Sequence, residues 1–319
     1  MNPQAGSSAS ASSASSNIEE SQNKSRHPAH ARTKIYNHWD DEWKDDPNQV
    51  EELLSNELYK LSMEDRNKFQ DEIHGVRCIA PEETPELLRC SLRQMEYELE
   101  HEVPLDQKRA YLRSKELQLQ LQETTYIHQD DFKLRFLRCE LFDVPKAAIR
   151  MALFLDLLVD LFGDYALERP IRISDFTKKE LAEFRKGRFQ LLNDRDRGVG
   201  SGRRICCVFP DKGWAEIPPR TRHKIALYQT FVAGYDVDVQ RKGIVFVAWF
   251  DSNLEPSWKP ALSTKIHQIP SVRMSSVHIC TPDTPFYRLR RALAVMSSGN
   301  SRMRLRIHIG MYITCSVSH

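Results

Sequence analysis

One stretch of the chain decides its fold: Ile244-Val245-Phe246-Val247-Ala248-Trp249-Phe250, seven consecutive apolar residues. Lys242 and Gly243 precede the stretch, and Asp251 follows it. A short apolar run between turn signals is typical of a strand that is buried on both faces, as in a parallel sheet. We therefore predict a buried strand over residues 244–250.

Further apolar runs on either side predict more strands and the helices between them. The predicted strands are Ile205–Phe209, Met274–Ile279 and Arg302–Ile309, and the predicted helices are Ser174–Gly187, capped by Ser174 or Asp175, Thr221–Tyr235 and Arg288–Met296. Residues 193–202 separate the first helix from the first strand as a charged, glycine-rich loop. Buried strands that alternate with helices indicate an α/β fold with a mainly parallel sheet and flanking helices.

Upstream of the sheet, residues 130–163 predict two apolar helices joined by a tight turn. Asp143 is placed to cap the second helix, and Pro145 fits its first turn. Gly163 follows the last apolar residue and fits a left-handed stop.

The amino-terminal part divides into a polar tail and a helical region. Residues 1–37 are rich in Ser, Ala, Asn and Gln and bury too little apolar surface to fold, so we predict a disordered tail. Residues 38–129 carry thin apolar stripes at helical spacing, with Pro85 at a first helical position, so an all-helical region precedes the sheet.

Charge is distributed unevenly along the 319 residues, although the net charge is only +2. Residues 40–106 hold 20 acidic and 7 basic side chains, whereas residues 107–319 hold 35 basic and 22 acidic ones. A basic carboxyl-terminal half suits a phosphate-bearing partner such as a membrane surface, and a solvated basic face is the alternative interpretation. Few aromatic residues lie beside the late arginines, which argues against nucleic acid.

The residues with chemical potential do not form a recognisable catalytic or metal site. Seven cysteines form no CxxC pair, and no secretory signal is visible, so a reducing cytoplasm is expected. Cys206 and Cys207 should face opposite sides of a strand. His278 and His308 fall in neighbouring predicted strands, but no third ligand accompanies them, so structural histidines are expected. We predict no metal, no cofactor and no enzymatic activity.

Four motifs in order resemble the CRAL-TRIO family. Leu134-Arg135-Phe136-Leu137-Arg138, followed by Phe142-Asp143-Val144, is similar to the family's amino-terminal helical segment. The loop from Asp196 to Arg203, the glycine, apolar run and Asp of residues 243–251, and the proline-bounded strand of residues 270–282 are similar to three later motifs. Together they cover residues 130–312.

The resemblance implies a segment at residues 130–165 of the family's amino-terminal type and a lipid-binding α/β domain at residues 166–319. In that family the sheet floors an apolar pocket and nothing is catalysed. The residues expected to line the pocket are Ile244, Phe246, Ala248, Phe250, Val277 and Ile279, and those expected to contact a headgroup or membrane phosphate are Arg302, Arg304 and Arg306. Because members continue beyond the position of Tyr312, a truncated carboxyl terminus is expected.

The functional hypothesis is that the chain binds a hydrophobic ligand, a phospholipid or an isoprenoid-type lipid, and transfers it between membranes by transient peripheral contact from the cytoplasm. The main alternative is a scaffold that keeps the fold without lipid exchange and binds a protein partner through residues 40–125. An α/β enzyme with scattered catalytic residues is a more distant alternative.

Overall fold

The computed structural model describes residues 59–196, 202–250, 269–284, 287 and 304–310. All of them belong to one compact unit, Asp46–His319. The helices are α1 (Met63–Ile73), α2 (Pro85–Tyr97), α3 (Arg109–Leu121), α4 (Asp130–Cys139), α5 (Val144–Phe162), α6 (Tyr165–Glu168), α7 (Lys178–Arg185), α8 (Pro219–Ala233) and α9 (Val237–Lys242). The strands are β1 (Phe189–Arg195), β2 (Arg204–Val208), β3 (Ile244–Trp249), β4 (Met274–Thr281) and β5 (Leu305–Ile309). A π-helical turn, Glu98–Glu102, extends α2.

The strands form one sheet in the order β1-β2-β3-β4-β5. β1 pairs antiparallel with β2, and the other three pairs are parallel. The prediction of an α/β fold with a mainly parallel sheet and flanking helices is therefore confirmed. Parallel neighbours need a crossover, and α8 with α9 supplies the one between β2 and β3.

The two faces of the sheet are set by the strand register. Cys206, Phe246, Val277 and Leu305 align across four strands and define the helical face. Cys207, Val247, His278 and Arg306 align one residue further on and define the opposite face. The two adjacent cysteines thus point to different faces, as predicted.

The main core lies on the helical face. Phe189 and Val208 pack with Ile225 and Phe231 of α8, and the same cluster runs into α5 through Phe154. The rings of Phe154 and Phe231 stack with centroids 6.3 Å apart. A smaller cluster joins Cys206 and Ile244 to residues of α8 and α9. Burial of these side chains, each contributing about 1.5–3 kcal/mol, attaches the helices to the sheet.

The turn between α4 and α5 has the capped form that the sequence predicts. Asp143 accepts a hydrogen bond from the Lys146 backbone N–H at 3.3 Å, and Gly163 ends α5 with a φ of 98°. Leu141 and Phe142 both adopt positive φ, 54° and 65°, which makes the reversal tight. Pro85 begins α2, also as predicted.

Several local predictions differ from the structure. β1 was not predicted, because its sequence carries Gln190, Asn193 and Asp194 and resembles a loop. α7 is shorter than the predicted helix of residues 174–187 and is capped by Thr177 instead of Ser174 or Asp175. The predicted tail of residues 1–37, the first part of the helical region at 38–129, and the helix at 288–296 lie outside the described residues. In the described part of the chain, no helix is both long and apolar enough to cross a membrane.

Candidate functional site

A cavity of about 840 Å³ lies on the opposite face of the sheet, over its carboxyl-terminal half. Its described lining comes from three strands and from the segments before β1 and after β2. The lining residues are Lys186, Gly187, Arg188, Phe209, Pro210, Asp211, Val245, Val247, Trp249, Phe250, His278, Cys280, Thr281, Pro282, His308, Ile309 and Gly310.

Strand alternation builds the floor of the cavity. Every second residue of β3, namely Val245, Val247 and Trp249, faces it, and His278 and Cys280 of β4 lie beside them. Trp249 keeps 47% of its surface exposed, and Ile309 keeps 56%. The apolar sequence of β3 therefore has two uses: one alternating set of side chains packs in the core, and the other set lines the cavity.

The rim next to β1 is charged but internally neutralised. Lys186 Nζ lies 2.7 Å from Glu183 Oε1, and Arg188 Nη1 donates to Glu183 Oε2 at 2.9 Å. Arg188 Nε also donates to Asp211 Oδ2 at 2.9 Å. Both cations that line this rim thus have carboxylate partners.

Two histidines form a hydrogen-bonded pair in the cavity. His278 Nδ1 and His308 Nε2 are 2.8 Å apart, and the two rings meet edge to edge, with centroids 5.1 Å apart and an interplanar angle of 15°. Burial is the main cause that lowers the pKa of His278 to about 4, and the neighbouring His308, Arg203 and Arg306 lower it further. At neutral pH the His278 ring is therefore uncharged.

The cavity cysteine is not poised for nucleophilic chemistry. Burial raises the pKa of the Cys280 thiol, and burial followed by the nearby Cys280 raises that of Cys207. A thiol rather than a thiolate is a poor nucleophile and a poor metal ligand. Among the described residues, no group of three or more His, Cys, Asp or Glu side chains is arranged to hold a metal ion.

Helix α1 occupies the amino-terminal half of the same face through a buried ionic cluster, which we call the Glu72 cluster: Glu72, Arg203, Arg273 and Arg304. Glu72 is 2% exposed and accepts hydrogen bonds from Arg273 and, at 3.2 Å, from Arg304 Nη2. Arg203 donates to the Glu72 carbonyl at 2.6 Å and pairs with Asp196. Arg306, in β5, donates to Gln70 Oε1 of α1 at 3.1 Å.

The residues predicted to line a pocket are placed mainly on the helical face. Of the six, only Phe250 lines the cavity. Ile244, Phe246, Ala248, Val277 and Ile279 alternate with the cavity residues and point to the other side, where Ile244 and Phe246 pack in the core. The prediction chose the wrong face because side chains alternate between the two faces of a strand. When every residue of a strand is apolar, the sequence does not show which of the two alternating sets lines a cavity.

The predicted phosphate-binding arginines do not line the cavity. Arg304 and Arg306 contact α1, and the guanidinium of Arg304 also lies 4.9 Å from the centre of the Phe69 ring. Arg302 lies outside the described residues. No pattern in the sequence indicates that a carboxylate of α1, 232 positions away, pairs with Arg304.

The histidine pair was regarded from sequence as structural, and the structure adds that it faces a cavity. The available signal was the register of two neighbouring strands: Cys280 aligns with His308 and His278 with Arg306, which brings the two rings onto one face.

Comparisons with known proteins add no assignment. No protein-family model matches the chain, and a search of curated proteins finds no significant match.

Proposed function

We propose that the chain binds one hydrophobic ligand, a phospholipid or an isoprenoid-type lipid, in the cavity on the opposite face of the sheet. The observation that carries the proposal is the cavity itself, about 840 Å³ with Val245, Val247 and Trp249 on its floor. Binding sites for small molecules usually have about 300–1,000 Å³ and mostly apolar walls with a few polar groups.

The energetics of such a site favour an acyl or isoprenoid chain. Each methylene moved out of water contributes about 0.8 kcal/mol. Ten buried methylenes then contribute about 8 kcal/mol, which is the standard free energy of a micromolar complex before the cost of association is subtracted. The histidines and the neutralised rim supply the polar minority.

Exchange with a membrane is the second part of the proposal. Trp249 and Ile309 are half exposed at the cavity and suit contact with the interfacial region of a bilayer, where tryptophan is favoured. We propose that the ligand enters and leaves through this apolar mouth. The resemblance of the sequence to the CRAL-TRIO family supports this proposal; in the structure, Asp143 of its first motif caps α5, and Gly243 of a later motif precedes β3.

A protein-interaction role is the second candidate, favoured by exposed apolar side chains in and next to α3. Leu119 is 80% exposed and Leu105 is 70% exposed. Both belong to the amino-terminal helical region in which a protein partner is expected. A scaffold of this type would purify with a protein partner and without lipid.

Native mass spectrometry of the full chain after gentle purification tests the proposal. We expect one added mass of a lipid per chain, and a Val247→Glu variant should lose it because the carboxylate would stand on the cavity floor. Val237→Glu is the matched control, since Val237 is half exposed on α9 and does not line the cavity. If wild type carries no lipid, or if Val247→Glu carries as much as the control, the proposed function is wrong.

A further inference from the structure

We propose that the exposed face of α3 binds the same face of a second copy of this chain, which gives a two-fold symmetric dimer through two antiparallel helices. We call this surface the α3 face: Leu105, Arg109, Leu112, Glu116 and Leu119. The inference goes beyond ligand binding, and it holds whether or not the cavity carries a lipid.

Three leucines of the α3 face point away from the body of the protein. Leu112 and Leu119 lie seven residues apart on α3 and are 38% and 80% exposed. Leu105, which is 70% exposed, lies in the 3₁₀ turn that precedes the helix. The other side of α3, with Tyr111 and Leu117, is already buried in the main core. Leucines at this spacing form the narrow apolar seam along which two helices pair.

One register of an antiparallel pair matches every residue of the α3 face. Residues at equal distances before and after the two-fold axis then face each other. With the axis next to Leu112, Leu105 of one copy faces Leu119 of the other, because each lies seven residues from it. Arg109 lies three residues before Leu112, and Glu116 lies four residues after it. Each arginine therefore comes within about 1.5 Å, the rise of one residue, of the level of the other copy's carboxylate.

The two charges also lie on the same flank of the helix. Seven residues are nearly two full turns at about 3.6 residues per turn, so Arg109 and Glu116 follow one line along α3. A two-fold axis perpendicular to the plane of two antiparallel helices brings this flank of one copy against the same flank of the other. The arginine thus meets the glutamate twice, which is the reciprocal contact of a symmetric interface.

The charges of the α3 face are available for these contacts. Arg109 is exposed, and within the described part of the chain no carboxylate lies at salt-bridge distance from its guanidinium. Glu116 is 62% exposed and pairs with Arg113 at 2.9 Å, but Arg113 also pairs with Asp164 at 3.1 Å. Glu116 can therefore accept the second copy's arginine without leaving Arg113 unpaired. On the other flank, Lys115 pairs with a carboxylate of its own chain.

The leucines supply the attraction, and the charges select the register. Exposed ion pairs add little affinity but disfavour registers that bring like charges together. An interface of one helix face per chain is at the small end of specific interfaces, so we expect a dissociation constant on the order of 10–100 μM.

Sedimentation equilibrium of the full chain, from about 1 to about 300 μM, tests the inference by spanning this range. Wild type should pass from monomer to dimer as the concentration rises. Leu119→Ser should weaken dimerisation at least about 10-fold, because one substitution removes an apolar contact at both ends of the interface. Lys179→Glu, at an exposed position on α7 outside the α3 face, is the control and should dimerise like wild type.

Charge reversal identifies the partner as a second copy. Arg109→Glu places two carboxylates opposite each other, and Glu116→Arg places two arginines opposite each other, so each variant alone should dimerise at least about 5-fold more weakly. An equal mixture of the two variants restores both opposite-charge pairs and should form a mixed dimer about as tightly as wild type. All three side chains to be changed are exposed, so the variants should fold.

The outcomes separate this inference from the proposed lipid binding. A wild type that stays monomeric over the whole range, a dimer that Leu119→Ser leaves unchanged, or variants that mix without preferring each other would each show that the inference is wrong. The same holds if the α3 face of a monomeric chain binds a different protein. Native mass spectrometry reports the lipid content of the same samples, so a dimer without lipid would contradict the proposed function alone.

Discussion

Replacement of Glu72 should destabilise the protein strongly, because this one buried carboxylate pairs with two arginines. Its side chain and that of Arg273 are 2% and 7% exposed, and Arg304 donates to the second carboxylate oxygen at 3.2–3.3 Å. The Glu72 cluster holds three arginines and one glutamate. Burial, followed by the neighbouring Arg304, lowers the pKa of Arg273 to about 9. Glu72→Gln would leave both guanidinium groups without a counter-charge.

The expected loss follows from what is known of buried ion pairs. Removing one partner costs about 3–5 kcal/mol, because the other charge stays buried and uncompensated. For a domain of ordinary stability, about 5–15 kcal/mol, this is a large fraction. We therefore expect Glu72→Gln to lower the free energy of unfolding by about 4 kcal/mol.

Urea unfolding, followed by circular dichroism, measures this loss. The urea concentration at the midpoint should fall, while the slope of the free energy of unfolding against urea concentration stays the same. The matched control is Glu64→Gln on the same helix, where Glu64 pairs with Lys68 at 2.8 Å but is 78% exposed. An exposed pair of this spacing contributes about 0.3–0.5 kcal/mol. Adding Arg273→Met to Glu72→Gln should recover about 2 kcal/mol, since an apolar side chain tolerates the buried site. If Glu72→Gln and Glu64→Gln lower the free energy of unfolding equally, Glu72 is not an essential buried counter-ion.

Three further changes have effects of predictable size. Gly243→Ala should lower the free energy of unfolding in urea by about 2–3 kcal/mol, because φ is +78° and a Cβ would stand 2.7 Å from the Arg273 carbonyl oxygen. Gly163→Ala is the control: φ is +98°, but the nearest atom would be 3.9 Å from the Cβ, so the loss should be clearly smaller. Equal losses would show that the close approach at Gly243 has no effect. Asp143→Ala should cost about 1 kcal/mol of thermal stability by removing the α5 cap, and an unchanged melting temperature would contradict that role. His278 has a folded pKa of about 4, below the value of about 6.5 expected in the unfolded chain. The neutral ring's contribution to the free energy of unfolding is therefore complete above pH 6.5 and is lost as the pH falls towards 4. The loss should be about 1 kcal/mol, since the ring is partly exposed and screened, and His278→Phe should remove this part of the pH dependence; an unaltered profile would contradict it.

Local signals in the sequence were sufficient where one segment determines its own structure. Asp143, Pro145 and Gly163 specify the beginning and end of α5, and residues 244–249 form a strand of a parallel sheet as their composition predicts. The predicted burial on both faces is wrong, because Trp249 on the cavity side is 47% exposed. β1 was not predicted from the sequence, because an antiparallel edge strand needs fewer apolar residues than a buried parallel strand. Gln190 and Asn193 also make its sequence resemble the loop that follows.

The candidate site was harder to predict because it depends on long-range placement. Whether Phe246 or Val247 faces the cavity depends on which side the helices cover, and a strand that is apolar at every position does not encode that choice. The partner of Arg304 comes from α1, 232 positions away. The sequence predicted that His278 and His308 lie in neighbouring strands. It did not predict the cavity beside them.

Photo-crosslinking shows whether a bound lipid chain lies on the opposite face of the sheet. A long-chain alcohol with a diazirine near its end is loaded into the full chain, irradiated and mapped by peptide mass spectrometry. We expect one crosslink per chain, on Val245, Val247 or Trp249 of β3 or on Cys280 of β4, and its loss in Val247→Glu. Crosslinks on Phe246, Ala248 or Ile279 of the helical face, or scattered over exposed residues such as Leu119, would contradict it.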